Sequence, residues 1–168
     1  EDNGRTISIE PGDKDLEVNF QLNYSNDIIG KQKNSVNFSN KNLVDIYSSR
    51  TFCLFQDIEK IKKSGLAKGG SLENAIVVDD NKIINKDGLR NDNEFVNHKI
   101  LDLTGDFLLS GFRILGKVNC YQGGHQLSNM FLRKLLKSKN SFVEIELNNF
   151  KLLNKSDLDQ LAKIAVNA

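Results

Sequence analysis

The segment from Asp92 to Leu109 constrains the fold more than any other stretch of the chain. At about 100° per residue, Val96, Ile100, Leu103 and Phe107 fall on one arc of a helix, and Leu101 and Leu108 fall on a second. A helix that is apolar on two arcs must be buried. The gap between the arcs holds His98, Lys99, Asp102 and Asp106, so this ionisable stripe is expected to face a cleft rather than open solvent. Asp92 is the expected N-cap and Gly111 the expected stop.

His98 and Asp102 lie one turn apart, which presents an imidazole nitrogen and a carboxylate oxygen on one face, as a helix presents two ligands to zinc. The same spacing suits a plain i, i+4 hydrogen-bonded pair on a partly exposed face, and spacing alone leaves both open. A catalytic zinc needs a third protein ligand and an open position for water, and the only other histidine is His125. His125 follows Gly123-Gly124 at the start of an expected helix. It suits a general acid or an electrostatic stabiliser, or it is a polar residue at a helix start with no task. Asp106 is a natural orienting partner for that imidazole.

Around this helix the pattern switches between strand and helix periods. Leu16, Val18, Phe20 and Leu22 alternate with polar residues, and Val36 and Phe38 offer a shorter antiparallel partner. Ser39 and Asn40 can cap a short helix with Leu43, Ile46 and Tyr47 apolar. Between Phe52 and Val78 a strand, an amphipathic helix using Ile58 and Ile61, a stop at Gly65 and a second strand from Ala75 predict a small βαβ unit. Its Gly69-Gly70-Ser71 turn either lets a ligand approach the backbone or is a plain turn, and it lacks the spacing of a phosphate loop. Strands are expected at Ile83-Ile84 and from Ile114 to Tyr121. A second long helix is expected from Gln126 to Lys137, burying Leu127, Met130, Phe131, Leu132 and Leu135. A last strand from Phe142 to Leu147 and a terminal helix through Leu158, Leu161 and Ile164, capped by Ser156 with Asp159, complete the pattern.

A chain of 168 residues suits one domain with its own core. Lys and Arg total 23 against 22 for Asp and Glu, so no global field draws nucleic acid or an anionic membrane. No apolar stretch approaches the roughly 20 residues of a transmembrane helix, and no leader pattern begins the sequence. Cys53 and Cys120 lie far apart without metal-knuckle spacing, which favours reduced thiols in a cytoplasmic protein. The opening Glu1-Asp2-Asn3, with Met130 the only methionine, points to a fragment or a processed chain.

Asp87-Gly88-Leu89-Arg90, the run Asp92 to Asp102, and Gly105-Asp106 closely resemble the signature of UDP-3-O-acyl-N-acetylglucosamine deacetylase, the zinc enzyme of lipid A biosynthesis in Gram-negative bacteria. Arg50-Thr51-Phe52, Gly69-Gly70-Ser71, Ala75 to Asp80 and Gly124-His125 fall in that family's order and spacing. The resemblance covers nearly all of the chain but only the carboxy-terminal of the family's two domains, the amino-terminal domain being absent. It implies an α+β fold, two main helices packed on a mostly antiparallel sheet, with residues 52–78 as a βαβ insertion forming an acyl-chain passage. Ile58, Gly70, Ser71, Ala75 and Val77 would line that passage.

The resemblance further implies zinc held by His98 and Asp102, with the third ligand and a glutamate general base in the other domain. By the same resemblance Thr51 helps stabilise the oxyanion, Phe52 packs near the sugar-nucleotide, and Lys99 binds substrate and stabilises charge. His125, oriented by Asp106, protonates the leaving amine or stabilises the charged transition state. The chain departs from the family pattern at Ala67-Lys68 and at Ser128. The implied activity is zinc-dependent hydrolysis of the N-acetyl group of UDP-3-O-acyl-N-acetylglucosamine, with this fragment inactive alone and dependent on the missing domain. The alternative is a non-catalytic module that binds acylated sugar-nucleotides through its apolar insertion.

Overall fold

Side-chain alternation decides which face of each strand is buried, and the computed structural model, which describes residues 3–12 and 15–145, shows the outcome. In chain order the elements are β1 (Thr6–Glu10), β2 (Leu16–Asn23), β3 (Lys31–Asn37), α1 (Val44–Tyr47), β4 (Thr51–Leu54), α2 (Ile58–Lys63), β5 (Ala75–Asp79), β6 (Lys82–Ile83), α3 (Glu94–Leu108), β7 (Gly116–Tyr121) and α4 (His125–Lys137). The expected hairpin forms: β2 and β3 are antiparallel, with Val18 opposite Val36. Its inward residues Val18, Phe20 and Leu22 are buried. β7 pairs parallel with β2 and antiparallel with β1, giving the order β1-β7-β2-β3. β1 is not among the expected strands. Its alternation spans only Ile7 and Ile9, and its place is set by pairing with β7.

The βαβ unit is present. β4 and β5 run parallel with Thr51 opposite Ala75 and Cys53 opposite Val77, and β6 adds an antiparallel edge. Ile76 and Val78 join the core, while Thr51, Cys53, Ala75 and Val77 share the other face. One core spans both sheets. Phe95, Val96, Ile100, Leu103 and Phe107 of α3 pack with Val18, Phe20, Ile46, Ile76 and Val118, each contributing about 1.5–3 kcal/mol of burial free energy. α4 lies beside α3, burying Leu127 and Leu132 and stacking Phe131 on Phe107 with ring centroids 5.8 Å apart. The architecture is α+β: two main helices against a mostly antiparallel sheet, plus a small βαβ unit.

Several local expectations fail for physical reasons. α3 begins at Glu94, and neither Asp92 nor Asn93 caps it through a side chain; a backbone turn from Glu94 N–H to the Asn91 carbonyl, 3.1 Å, closes its start instead. α1 starts only at Val44, so Ser39 and Asn40 lie outside it, the Ser39 hydroxyl being engaged with Asn37. Tyr47 is exposed, as is Leu108 at 69%, so the second apolar arc of α3 is buried only in part, through Leu101. Met130 is also exposed, because it lies about 130° around α4 from the centre of the buried face. Residues 142–145 form no strand, Phe142 being extended without a ladder partner. The terminal helix through Leu158, Leu161 and Ile164, its Ser156 and Asp159 cap, and Leu147 fall outside the described residues. Among the described residues, no helix is long and apolar enough to cross a membrane.

Candidate active site

Helical spacing aligns His98, Asp102 and Asp106 on one side of α3, and packing leaves their side chains only 14%, 17% and 17% exposed. The His98 ring meets an oxygen at each nitrogen: Nδ1 lies 3.2 Å from the Ser49 carbonyl oxygen and Nε2 lies 3.3 Å from Asp102 Oδ1. Burial pushes the His98 imidazole below its ordinary pKa and outweighs the upward pull of Asp102. The ring is therefore held toward neutrality. A neutral ring has one proton, and here it stands between two acceptors.

A cation between Nε2 and Oδ1 removes that conflict, leaving Nδ1–H to donate to Ser49, as backbone carbonyls commonly do for metal-bound histidines. The 3.3 Å separation brings together an imidazole nitrogen and a carboxylate oxygen, donor types that zinc takes. The donor set thus fits a divalent metal, yet it supplies two ligands only. Among the described residues, no group of three or more His, Cys, Asp or Glu side chains is placed to hold a metal.

Around this pair the structure gathers Lys99, Phe52, Asp106 and His125. Lys99 Nζ lies 3.1 Å from Asp102 Oδ2 and 5.6 Å from the Phe52 ring centroid, so the ammonium is held between carboxylate and aromatic face. Phe52 packs edge-on to Phe95 and His98, with centroids at 5.0 and 6.5 Å. His125 Nδ1 lies 2.9 and 3.0 Å from the two Asp106 carboxylate oxygens, and its Nε2 lies 4.0 Å from Asp102 Oδ1. The His125 ring is 70% exposed, so this side of the cluster is open.

The turn that delivers His125 is tightly specified. A Cβ on Gly123 would collide with Cys120 Sγ, and Gln122 takes φ +55° while its amide bonds both backbone groups of Asn23. Burial pushes the Cys120 thiol up to about 12, which makes it a packing group. Cys53 and Cys120 are both free thiols. Ser128, an expected departure from the resembled pattern, is buried and bonds the Gly124 carbonyl through its hydroxyl at 3.1 Å.

Thr51 is exposed, and although its neighbours Ser49, Arg50 and Phe52 all touch α3, the Thr51 side chain makes no hydrogen bond to the cluster among the described residues. Of the expected passage residues, Val77 is buried, Ile58 and Ala75 are half-buried, and Gly70 and Ser71 are exposed. Gly69-Gly70-Ser71 behaves as a plain turn. The Gly70 N–H goes to the Ala67 carbonyl, 3.0 Å, and the Ser71 N–H to Asn74 Oδ1, 2.9 Å, so neither amide is free for a ligand. Ala67, the other expected departure, takes a left-handed φ of +51° in that turn.

Two residues escape the sequence analysis. Asn85 is buried, accepting from Val77 N at 2.9 Å and donating to the carbonyls of Leu72 and Ala75, which pins the insertion. Glu94 is fully buried against Arg50. An asparagine in a turn and a glutamate at a helix start are both ordinary, so only the tertiary contacts distinguish them.

Fold and site together define a class: an α+β domain whose longest helix carries a histidine–aspartate pair beside a second histidine anchored by a second aspartate. Residues 1–137 match the LpxC family, UDP-3-O-acyl N-acetylglycosamine deacetylase, and the chain belongs to it. It is 40% identical over 149 residues to the UDP-3-O-acyl-N-acetylglucosamine deacetylase of Psychrobacter cryohalolentis, covering 82% of this chain and 47% of that protein. It is 39% identical over 147 residues to the protein of the same name from Campylobacter jejuni subsp. doylei, covering 87% and 50%. The corresponding figures for Campylobacter lari are 39% over 152 residues, 89% and 51%. The chain therefore spans about half the length of the curated relatives it matches.

Proposed function

We propose that this chain contributes half of the active site of a zinc-dependent deacetylase that hydrolyses the N-acetyl group of UDP-3-O-acyl-N-acetylglucosamine in lipid A biosynthesis. The observation that carries it is the His98 ring held between two acceptors, with Nε2 3.3 Å from Asp102 Oδ1. His98 and Asp102 hold the zinc; a third ligand and a glutamate base come from an amino-terminal domain outside this chain. The open side of His125 and the half-length match to the relatives support that division. When bound, zinc supplies Lewis acidity toward the amide carbonyl and a lowered pKa for the attacking water.

The residues of this chain do the rest. Ser49 accepts the Nδ1–H of His98 and so leaves the Nε2 lone pair for the metal. Thr51 donates its hydroxyl to the oxyanion that develops on the acetyl group, and Lys99, steadied by Asp102 and Phe52, adds positive charge beside it. Asp106 accepts the His125 Nδ1–H and keeps Nε2 on the side of Asp102. Protonated at Nε2, His125 gives that proton to the glucosamine nitrogen as the C–N bond breaks, releasing acetate. The acyl chain lies along the face of Ala75 and Val77 beneath Ile58, with Gly70 and Ser71 at the rim, and Phe52 packs near the sugar-nucleotide. The lipid A reading implies a Gram-negative cell and a nucleotide-sugar substrate implies its cytoplasm, a compartment consistent with the free thiols of Cys53 and Cys120.

Zinc content and turnover of the purified chain, alone and with the amino-terminal half added, test this. Turnover is expected to be negligible alone and restored by the second half. Robust turnover by the chain alone overturns the shared site. Acyl-ligand binding that survives His98→Ala, with no zinc held by the paired halves, leaves a binding module instead.

A further inference from the structure

We infer that Glu94, acting with Arg50 and Arg90, is a positioning residue that straps the Ser48–Arg50 segment to α3 and thereby aims both His98 and Thr51. The inference rests on the proposed roles of those two residues. The Glu94 carboxylate is fully buried and accepts four hydrogen bonds. They come from Arg50 N at 3.0 Å, Arg50 Nε at 2.8 Å, Arg50 Nη2 at 3.0 Å and Arg90 N at 2.6 Å. A carboxylate offers about four lone-pair sites, so this one is saturated and has nothing left for a ligand.

The strap is continuous. Arg90 Nη1 donates to the Ser48 carbonyl at 2.6 Å, the Ser49 carbonyl faces His98 Nδ1 at 3.2 Å, and the Arg50 N–H goes to Glu94. Arg50 Nη2 also reaches the Gly88 carbonyl at 2.7 Å, which ties in the loop ahead of α3. Three consecutive residues are thus fixed to residues 88–98, and the next is Thr51. Stability alone does not call for such a pair, since well-packed apolar residues of similar volume often serve as well. Apolar residues cannot orient backbone groups. Here the oriented groups are the carbonyl that sets the His98 ring and the amide that leads into Thr51.

The test uses the full-length protein carrying Glu94→Gln, Arg90→Met and Thr51→Val, singly and as Glu94→Gln with Thr51→Val. Amide exchange is followed in a peptide spanning residues 48–54, with kcat and KM for UDP-3-O-acyl-N-acetylglucosamine measured alongside. Exchange in that peptide is expected to quicken about tenfold in Glu94→Gln and in Arg90→Met, while β2 and β7 keep the parent rate. In Glu94→Gln, kcat is expected to fall about 10–100-fold with KM within about twofold, and to fall little further once Thr51 is already Val.

Arg90 is exposed at the surface, so its variant keeps the test open if Glu94→Gln does not fold. Parent-like exchange at 48–54 in a folded variant overturns the strap, and so does uniform quickening throughout the protein. Additive kcat losses for Glu94→Gln and Thr51→Val overturn the route through Thr51. Absence of deacetylation in the parent refutes the proposed activity, and the exchange rates still decide the strap.

Discussion

Glu94 and His98 stand one turn apart on the same helix and are both largely removed from water, yet their surroundings are opposite. Burial alone would raise the Glu94 carboxyl, but hydrogen bonds from Arg50 and Arg90 overcome that and hold it below its ordinary range. Every lone pair there has a donor. At His98 a single ring proton faces two acceptors, and across from it His125 is anchored by Asp106 but otherwise open. The saturated cluster is architecture. The unsaturated one leaves an acceptor without a proton and a ring open to solvent, the groups on which chemistry can be built.

The largest expected effect breaks the comparison most directly. Glu94→Ala leaves the Arg50 guanidinium buried without its counter-charge, and the chain should lose about 3–5 kcal/mol of stability in urea denaturation. His98→Ala removes a mostly buried ring whose single proton faces two acceptors, and it leaves no buried charge behind, so its cost should be smaller, about 1–2 kcal/mol. Equal losses for the two variants would erase the distinction between a structural and a chemical cluster.

How much of this contrast is legible in the sequence differs between the two clusters. The stripe His98, Lys99, Asp102 and Asp106 follows from helical periodicity, because all four lie on one element. The hairpin of β2 with β3 and the βαβ unit are equally local in their signals. The Glu94–Arg50 pair joins residues 44 apart, and nothing in the spacing of either residue marks it. β1 is missed because its partner β7 lies more than a hundred residues away. Met130 and Leu108 mislead for another reason: hydrophobicity marks a residue that can be buried, while only packing decides that it is. The meeting of His125 with Asp106 is expected from chemistry alone, and the structure supplies the 2.9 Å contact that spacing could not.

Asp106→Asn sharpens the contrast from the unsaturated side. The amide can still accept from Nδ1–H, but the side chain can also turn to present its NH2, so the His125 ring is no longer held in one tautomer and direction. In the full-length protein kcat should fall about 10–100-fold, the scale at which outer partners of such histidines act, while thermal stability stays near the parent's. Loss of stability matching that of Glu94→Ala would show that the Asp106–His125 pair is architecture after all.

The smallest effect is a pH dependence that belongs to the saturated cluster alone. The folded-state pKa of Glu94 lies below its ordinary 4.5, so the charged pair contributes its full stability above that value and loses it as pH falls through the depressed one. The loss should be a fraction of that in Glu94→Ala, because a protonated carboxyl still fills the site and still accepts hydrogen bonds. Urea midpoints measured from pH 6 downward should therefore bend below about pH 4.5 in the parent. Glu94→Gln should remove that part of the bend, leaving the remainder to other carboxylates. An undiminished bend in a folded Glu94→Gln chain would mean that the acid sensitivity lies elsewhere, and that the Arg50 pair is less dominant than its three hydrogen bonds indicate.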